Sequence, residues 1–189
     1  MKLHSLHIHR RHTPILALLV AIPAILWKLT FTNLILARGD TLLYIYPYWA
    51  YRAKSLLAGQ IPLWNPYLFM GAPFLANPQT AVLYPLNWPL IIFPVHIALK
   101  IAILAHIIIA GFGTYTLARR AVGLTPVASS LAALFFALGG HMIGKVEQVN
   151  QLQSLAWLPW LLLFANQFVV HVQSRSRVGL IIAVLLALQ

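Results

Sequence analysis

Acidic residues are nearly absent from this chain. Its 189 residues include two, Asp40 and Glu147, against thirteen Lys and Arg. Charged residues of either sign make up 8% of the chain, whereas soluble domains carry about 25%. So few charges cannot cover the surface of a soluble domain of this size. The shortage excludes an ordinary soluble fold and predicts an integral membrane protein.

Cysteine is absent altogether, which excludes a disulfide framework and thiolate chemistry. The net charge of +11 raises the question of nucleic acid binding. However, the cations lie in short clusters between apolar runs and do not form one basic face. We therefore expect membrane lipids as partners, and no nucleic acid.

Long apolar runs dominate what is present, since 61% of the residues are hydrophobic. A helix needs about 20 apolar residues to cross a bilayer. Four runs approach that length, at residues 14–36, 95–118, 125–143 and 155–172. A fifth begins at Val178 and reaches the end of the chain before it is long enough to cross. The pattern predicts an all-α polytopic membrane protein, with about four full transmembrane helices and a truncated fifth, as the N-terminal piece of a longer protein.

Three basic clusters determine the predicted orientation. They are Lys2 with Arg10 and Arg11, Arg119 with Arg120, and Arg175 with Arg177. All three fall on one side if the helices alternate, and the positive-inside rule places that side in the cytoplasm. The opposite side keeps four cations against these seven. We predict a multi-pass plasma-membrane protein with a basic cytoplasmic N-terminal tail over residues 1–13 and a membrane domain over residues 14–189.

The N-terminal region has two alternative interpretations. A basic segment before an apolar run also begins a signal peptide. This run is longer than a signal-peptide core, and no Ala-x-Ala site follows it before Arg38, so we favour an uncleaved anchor. Histidines at positions 4, 7, 9 and 12 have spacings that permit metal chelation, but no Cys or carboxylate completes a ligand set. We predict a solvated or lipid-headgroup-facing tail there and no metal site.

The segment between the first two predicted helices, residues 37–94, concentrates proline and aromatic residues. It holds eight of the twelve prolines and nine of the thirteen Tyr and Trp residues, and prolines at this density break up any long helix. Because Tyr and Trp favour the headgroup zone of a bilayer, we predict a long interfacial outer loop. Within it we expect a short amphipathic helix over residues 46–57, turns at two Asn-Pro steps, and a broken or re-entrant segment over residues 80–93.

Asp40 directly follows the first predicted helix, and Glu147 follows the third. On the predicted topology both face outward at the same membrane surface, each two residues from a cation. An outward-facing carboxylate base or metal ligand has no other candidates in the chain. The alternative is that each is an ordinary solvated loop acid, loosely paired with its neighbour.

A few polar and small residues interrupt the apolar runs. Lys28 and Lys100 are expected to snorkel toward the outer surface, since a lysine at mid-bilayer is costly. We expect His106 to be a packed, hydrogen-bonded histidine and not a proton relay. Gly111 and Gly113 are expected at places where helices approach closely.

Several short motifs in and around the predicted outer loop form one pattern. They are Gly39-Asp40, Tyr46-Pro47-Tyr48, Trp64-Asn65-Pro66-Tyr67, Ala76-Asn77-Pro78-Gln79, Tyr84-Pro85-Leu86-Asn87, Arg119-Arg120 and Glu147. This pattern resembles the YfhO-type bacterial membrane proteins over roughly residues 35–165. Such proteins are similar to GT-C glycosyltransferases and are much longer than this chain, so the resemblance is to their N-terminal part.

The resemblance implies an enzyme that takes a sugar from a polyprenyl-phosphate carrier on the outer face of the membrane and transfers it to an extracytoplasmic acceptor. In that superfamily an acidic residue of the first outer loop acts as base or metal ligand, and Asp40 is the matching position. Glu147 matches a second acidic position and is the other catalytic candidate. The resemblance leaves the cofactor open, with a divalent metal at Asp40 as one option.

Substrate contacts are expected from the same surface. A leaving lipid phosphate needs cations at headgroup depth. The available cations are Arg38, Arg52, Lys54 and Lys145, each of which has bulk lipid phosphate as an alternative partner. Aromatic faces suit a sugar ring, and we assign five loop residues to substrate binding: Tyr48, Trp64, Asn65, Asn77 and Gln79.

Two other functions stay open. A transporter or flippase for lipid-linked sugars would use the same cations and aromatic residues without a base. A non-catalytic membrane scaffold would need neither. A carboxylate that is essential for turnover but not for ligand binding separates the enzyme from the flippase.

Overall fold

Most of the described chain is helical, as predicted. The structure is a computed structural model, and it describes residues 18, 20–32, 39–170 and 175–187. The helices, in chain order, are α1 (Trp27–Phe31), α2 (Tyr46–Leu57), α3 (Val95–Leu117), α4 (Pro126–Ala137), α5 (Gly140–Gly144), α6 (Val149–Ala156), α7 (Leu158–Val170) and α8 (Arg175–Ala187). Two short strands, β1 (Trp64–Asn65) and β2 (Ala72–Pro73), pair antiparallel between α2 and α3.

Within the described residues, three helical stretches are long and apolar enough to cross a membrane. They are Val95–Val122, Pro126–Gly144 and Val149–Val170. The first is α3 with a π-helical turn at its end, the second contains α4 and α5, and the third contains α6 and α7. The first two agree closely with the predicted runs over residues 95–118 and 125–143. The chain therefore has the helices of a membrane protein by length and composition.

The first predicted helix, residues 14–36, lies only partly within the described residues. Residues 20–25 and α1 are helical, and the helix ends at Phe31 because Thr32 is extended, with φ −112° and ψ 162°. Lys100 Nζ donates to the carbonyl oxygen of Thr32 at 2.6 Å. A cation at this position complements the negative end of the helix dipole, so Lys100 has a defined partner at the carboxyl end of α1.

The predicted fourth helix begins earlier than its apolar run suggested. α6 starts at Val149, whereas the run begins at Leu155. The first turns were missed because α6 is amphipathic: Val149 and Leu152 are buried while the intervening Gln151 is exposed. A search for continuous apolar residues rejects such a pattern. α6 ends before Pro159, which cannot donate a backbone hydrogen bond to the carbonyl of Leu155.

α3 is central and packs against α4, α6 and α7. Its Ile103 and Ile107 are fully buried. Trp160 of α7 approaches α3 so closely that a Cβ added at Gly113 would lie 2.6 Å from the indole Nε1. That Nε1 donates to the carbonyl of Ile109 at 3.0 Å. The close helix approach expected at Gly113 is present.

The proline-rich segment, residues 39–94, is built from short elements. Its α2 has the bounds predicted for the amphipathic helix. The β1–β2 hairpin follows, with Trp64 opposite Pro73. Three 3₁₀ turns then begin at prolines: Pro78–Thr80, Pro85–Asn87 and Pro89–Ile92. The broken backbone predicted for residues 80–93 is confirmed, because each proline starts a turn where its missing N–H is not needed.

A pair of buried amides joins this segment to α6. The Asn87 side-chain nitrogen donates to Gln153 Oε1 at 3.4 Å, and Gln153 Nε2 donates to Asn87 Oδ1 at 2.8 Å. Both residues are buried. Because each amide satisfies the other, the pair is compatible with burial and fixes the segment against the helix.

A hydrogen-bonded chain of aromatic residues lies beside this pair. Trp157 Nε1 donates to the Tyr84 hydroxyl at 2.8 Å, and that hydroxyl lies 2.6 Å from His106 Nε2. His106 Nδ1 is 2.6 Å from the carbonyl oxygen of Ala102. Since a carbonyl only accepts, Nδ1 carries the proton and Nε2 accepts from Tyr84. His106 is thus packed and hydrogen-bonded, as predicted.

These contacts form one unit, which we call the polar seam. It consists of Asn87, Gln153, Tyr84, His106 and Trp157. The seam ties the proline-rich segment to α3 and to the region where α6 meets α7. It therefore holds the segment in a defined place beside the helices.

Candidate functional site: a cavity lined by both carboxylates

Asp40 and Glu147 are brought together where the proline-rich segment begins and where the chain leaves α5. Thr41 is buried at the start of the π-helical turn Thr41–Ile45, and its hydroxyl donates to the backbone carbonyl of Glu147 at 3.3 Å. Gly39 adopts a φ of +52°, and a Cβ added there would lie 3.4 Å from Glu147 Oε2. The Glu147 carboxylate therefore lies against the backbone next to Asp40.

Both carboxylates line one open cavity of about 240 Å³, which we call the carboxylate cavity. Its lining residues are Asp40, Tyr44, Ile45, Gln79, Glu147, Gln148, Asn150 and Gln151. They come from the start of the proline-rich segment, from the turn Pro78–Thr80, and from α6 with the connection before it. Nowhere in the described part of the chain do three or more His, Cys or acidic residues form a cluster suited to a metal ion.

The lining combines two carboxylates with neutral hydrogen-bonding groups. Four of the eight residues carry side-chain amides, which both donate and accept, and Tyr44 adds a hydroxyl. Asp40 is exposed, and its side chain makes no capping hydrogen bond to the turn that follows it. Donors and acceptors interspersed in this way suit a ligand with several hydroxyl groups better than an apolar one.

Among the predicted substrate-binding cations, those in the described ranges do not line this cavity. Lys145 is linked to it, because its Nζ donates to Oε1 of the lining residue Gln148 at 3.1 Å. Lys54 is exposed on α2. Arg38 lies outside the described residues.

Arg52 contacts the interior of the proline-rich segment. The side chain is 1% exposed, and one guanidinium nitrogen donates to the carbonyls of Thr80 at 3.0 Å and Ala81 at 3.3 Å. The guanidinium carbon lies 4.1 Å from the centre of the Trp49 ring. Burial lowers the pKa of the guanidinium to about 10, which leaves it charged at neutral pH. In this conformation the Arg52 cation is held by protein groups.

Tyr48 and Trp64 also lie away from the carboxylate cavity. Tyr48 is buried edge-on against Phe74, with 5.5 Å between ring centres. Trp64 packs over Gly71 in the hairpin, and its carbonyl accepts a hydrogen bond from the Tyr51 hydroxyl at 2.8 Å. The Trp64 side chain is half exposed, so of these two aromatic residues it is the one that keeps surface for a ligand.

The two Asn-Pro steps form the predicted turns. Asn65 Oδ1 accepts from the backbone N–H of Tyr67 at 3.0 Å, and Asn77 Oδ1 accepts from that of Gln79 at 2.9 Å. These hydrogen bonds engage the side-chain oxygens of both asparagines in the backbone. Gln79 itself lines the carboxylate cavity, so the second turn places one predicted substrate-binding side chain beside the carboxylates.

Five lining residues were not predicted from the sequence: Tyr44, Ile45, Gln148, Asn150 and Gln151. The last two were missed because the polar first turns of α6 were taken for loop. A usable signal is the spacing of the apolar residues Val149, Leu152 and Ala156, three and four residues apart, which is typical of an amphipathic helix.

No protein-family model, curated protein or solved structure matches this chain. A helical membrane fold is compatible with many activities. The function has to be inferred from the chemistry of the site.

Proposed function

We propose that this chain is part of a YfhO-type integral membrane glycosyltransferase, which transfers a sugar from a polyprenyl-phosphate carrier to an acceptor outside the cytoplasm. The main support is the carboxylate cavity, where the two acidic residues of the chain, distant in sequence, line one open polar space. The motif resemblance adds an expected catalytic role for Asp40. The three apolar helices agree with a membrane location.

In the proposed reaction Asp40 is the base. An acceptor hydroxyl attacks the anomeric carbon, its proton passes to the Asp40 carboxylate, and the bond between that carbon and the phosphate oxygen breaks with its electron pair on the phosphate. Glu147 is the second carboxylate, positioned to stabilise positive charge developing on the sugar ring. The amides of Gln79 and Asn150 are placed to orient sugar hydroxyls, because each can donate and accept.

A divalent cation is compatible with the donor types of this cavity. Two carboxylates with nearby amide oxygens are hard ligands, which Mg²⁺ and Mn²⁺ prefer. In this alternative to the base role, Asp40 would hold such an ion together with Glu147. When bound, the ion would offset the negative charge on the leaving phosphate.

The proposal requires the carboxylate cavity to face away from the cytoplasm. This follows from the basic clusters if the N-terminus is inside. Gln60 is exposed just after α2, and the chain has no native cysteine. A Gln60→Cys variant in intact cells should therefore react with a membrane-impermeant thiol reagent without lysis. Labelling that appears only after lysis would show that the proline-rich segment is cytoplasmic.

The catalytic assignment is tested by Asp40→Asn in the full-length protein that contains this chain. The substitution preserves shape and removes the base. Transfer of radiolabelled hexose from polyprenyl phosphate in membrane vesicles should fall by about 10²–10⁴-fold. Binding of the same lipid-linked donor, measured without divalent cations, should persist, because the base is expected to contact the acceptor hydroxyl and not the donor's phosphate.

Glu147→Gln is the companion variant, and we expect a smaller loss of transfer. Asp40→Glu should recover part of the activity if a carboxylate is what the site needs. Wild-type transfer by correctly inserted Asp40→Asn protein would rule out the assignment. The flippase alternative would be favoured by a different result. The wild type would show no transfer activity, and Asp40→Asn would still move lipid-linked sugar across the membrane at the wild-type rate.

A further inference from the structure

A second and larger cavity also borders α6. Its volume is about 500 Å³, and it is lined by His141, Lys145, Asn150, Gln151, Ser154, Leu155 and Leu158. We call it the lysine cavity. It lies between the end of α5 and α6, at the connection that also carries Glu147.

The lining of the lysine cavity changes along its length. Lys145 supplies a positive charge and His141 an N–H donor near the connection, because imidazole donates in either protonation state. Ser154 adds a hydroxyl one turn after Asn150. Farther along the chain, Leu155 and Leu158 provide apolar surface, and Leu158 is 40% exposed. One end is thus suited to an anion and the other to a hydrocarbon chain.

The lysine cavity and the carboxylate cavity share a wall. Asn150 and Gln151 line both. Lys145 Nζ also donates to Gln148, which lines the carboxylate cavity. A phosphate bound against Asn150 and Gln151 would therefore lie next to residues that also line the carboxylate cavity.

We propose that the lysine cavity binds the phosphate of a lipid phosphate ester, with Lys145 and His141 as the phosphate contacts and Leu155 and Leu158 against the start of the hydrocarbon chain. The inference rests on the proposed function, since it says where that donor's phosphate would bind. The phosphate would then lie beside Asn150 and Gln151, with the sugar toward Asp40 and Glu147.

The two ends of the lysine cavity distinguish a lipid phosphate from a free phosphate. A free anion would use Lys145 and His141 alone and would be indifferent to the leucines. A lipid phosphate would also pack the start of its hydrocarbon chain against Leu158, and a polar side chain at this position would remove that contact. Substitutions at the two ends should therefore act on different parts of one ligand.

The test is equilibrium binding of radiolabelled farnesyl phosphate to the protein in phosphatidylcholine nanodiscs, with farnesol and inorganic phosphate as competitors. Lys145→Gln should weaken farnesyl phosphate binding by about tenfold or more, as expected for the loss of one charge-assisted hydrogen bond. His141→Gln should give a smaller loss, and Lys145→Arg should retain most of the affinity because it keeps the charge. Leu158→Asn should weaken binding of farnesyl phosphate more than binding of inorganic phosphate.

Arg120→Gln is the matched control, because Arg120 is exposed on the π-helical turn after α3 and the substitution removes the same charge. It should bind farnesyl phosphate like the wild type. Equal affinity of the wild type and Lys145→Gln, with both proteins equally stable to heat, would overturn the inference. Inorganic phosphate competing as strongly as farnesyl phosphate, or farnesol doing so, would overturn the lipid-phosphate assignment. None of these binding results decides the role of Asp40, because Asp40→Asn is tested by its sugar-transfer activity.

Discussion

The polar seam and the carboxylate cavity both border α6. The polar side chains of the seam bond to one another, whereas those of the cavity face open space. On one side of α6, Gln153 is buried and exchanges hydrogen bonds with Asn87. On another, Gln151 is exposed and lines both cavities. Buried polar groups that satisfy one another stabilise a structure, whereas polar groups that face open space are available to a ligand. Gln153 therefore belongs to the residues that hold the site in place, and Gln151 to those that are available to a ligand.

Arg52 belongs with the holding residues, although its charge made it a substrate-binding candidate. Its guanidinium lies inside the proline-rich segment, hydrogen-bonded to two carbonyls and stacked on Trp49. The exposed Lys54 on the same helix has the same charge without these contacts. A pair of substitutions on α2 can therefore show whether burial, and not charge alone, determines the role.

The largest expected effect on stability comes from Arg52→Met. The substitution leaves the carbonyls of Thr80 and Ala81 without this donor and removes the packing on Trp49, so the free energy of unfolding should fall by about 3 kcal/mol. Unfolding in mixed micelles with increasing SDS, followed by tryptophan fluorescence, measures the loss. Lys54→Met is the control and should change stability by less than about 0.5 kcal/mol. A similar loss of unfolding free energy in both variants would show that Arg52 does not hold the segment in place.

A smaller effect is expected from Tyr84→Phe in the polar seam. Removing the hydroxyl leaves the partly buried Trp157 indole N–H and the buried His106 Nε2 without this partner, at a cost of about 2 kcal/mol. Burial raises the pKa of Tyr84, so the neutral hydroxyl is the form that the seam contains at physiological pH. Tyr67→Phe removes a hydroxyl from a 75% exposed side chain and should be nearly neutral in the same unfolding assay. If Tyr84→Phe leaves the free energy of unfolding unchanged, the polar seam does not hold the proline-rich segment.

The sequence was most informative where one physical rule applies without competition. Apolar length placed α3 and the helical stretch Pro126–Gly144 to within about one residue at each end, and proline chemistry predicted the broken backbone of residues 80–93. Both rules depend on local composition alone. The two carboxylates could be named as the catalytic candidates for the same reason, since the chain has no others.

The sequence was least informative about which polar residues meet. Arg52 and Gln79 were given the same predicted role, and the structure buries one and places the other in the carboxylate cavity. Their difference comes from the turn Pro78–Thr80, which places carbonyls over Arg52 and directs Gln79 to the cavity. Contacts between distant segments decide this, and local patterns contain no record of them. The polar start of α6 was missed because burial at a spacing of three to four residues, as at Val149, Leu152 and Ala156, and not overall hydropathy, defines that helix.

The smallest expected effect on stability is that of Asp40→Asn. This variant tests most directly whether residues of the carboxylate cavity act on a ligand without holding the fold together. Asp40 is exposed, and its side chain makes no capping hydrogen bond to the π-helical turn after it. Asparagine has nearly the same shape, so the free energy of unfolding should change by less than about 0.5 kcal/mol. If Asp40 acts in the site and does not hold it, this variant should unfold like the wild type in the SDS assay while transfer falls steeply. Arg52→Met should lose stability, and any loss of transfer should follow the loss of folded protein. A destabilisation of 2 kcal/mol or more in Asp40→Asn would contradict the comparison, because a group that faces an open cavity exchanges one hydrated state for another when its charge is removed.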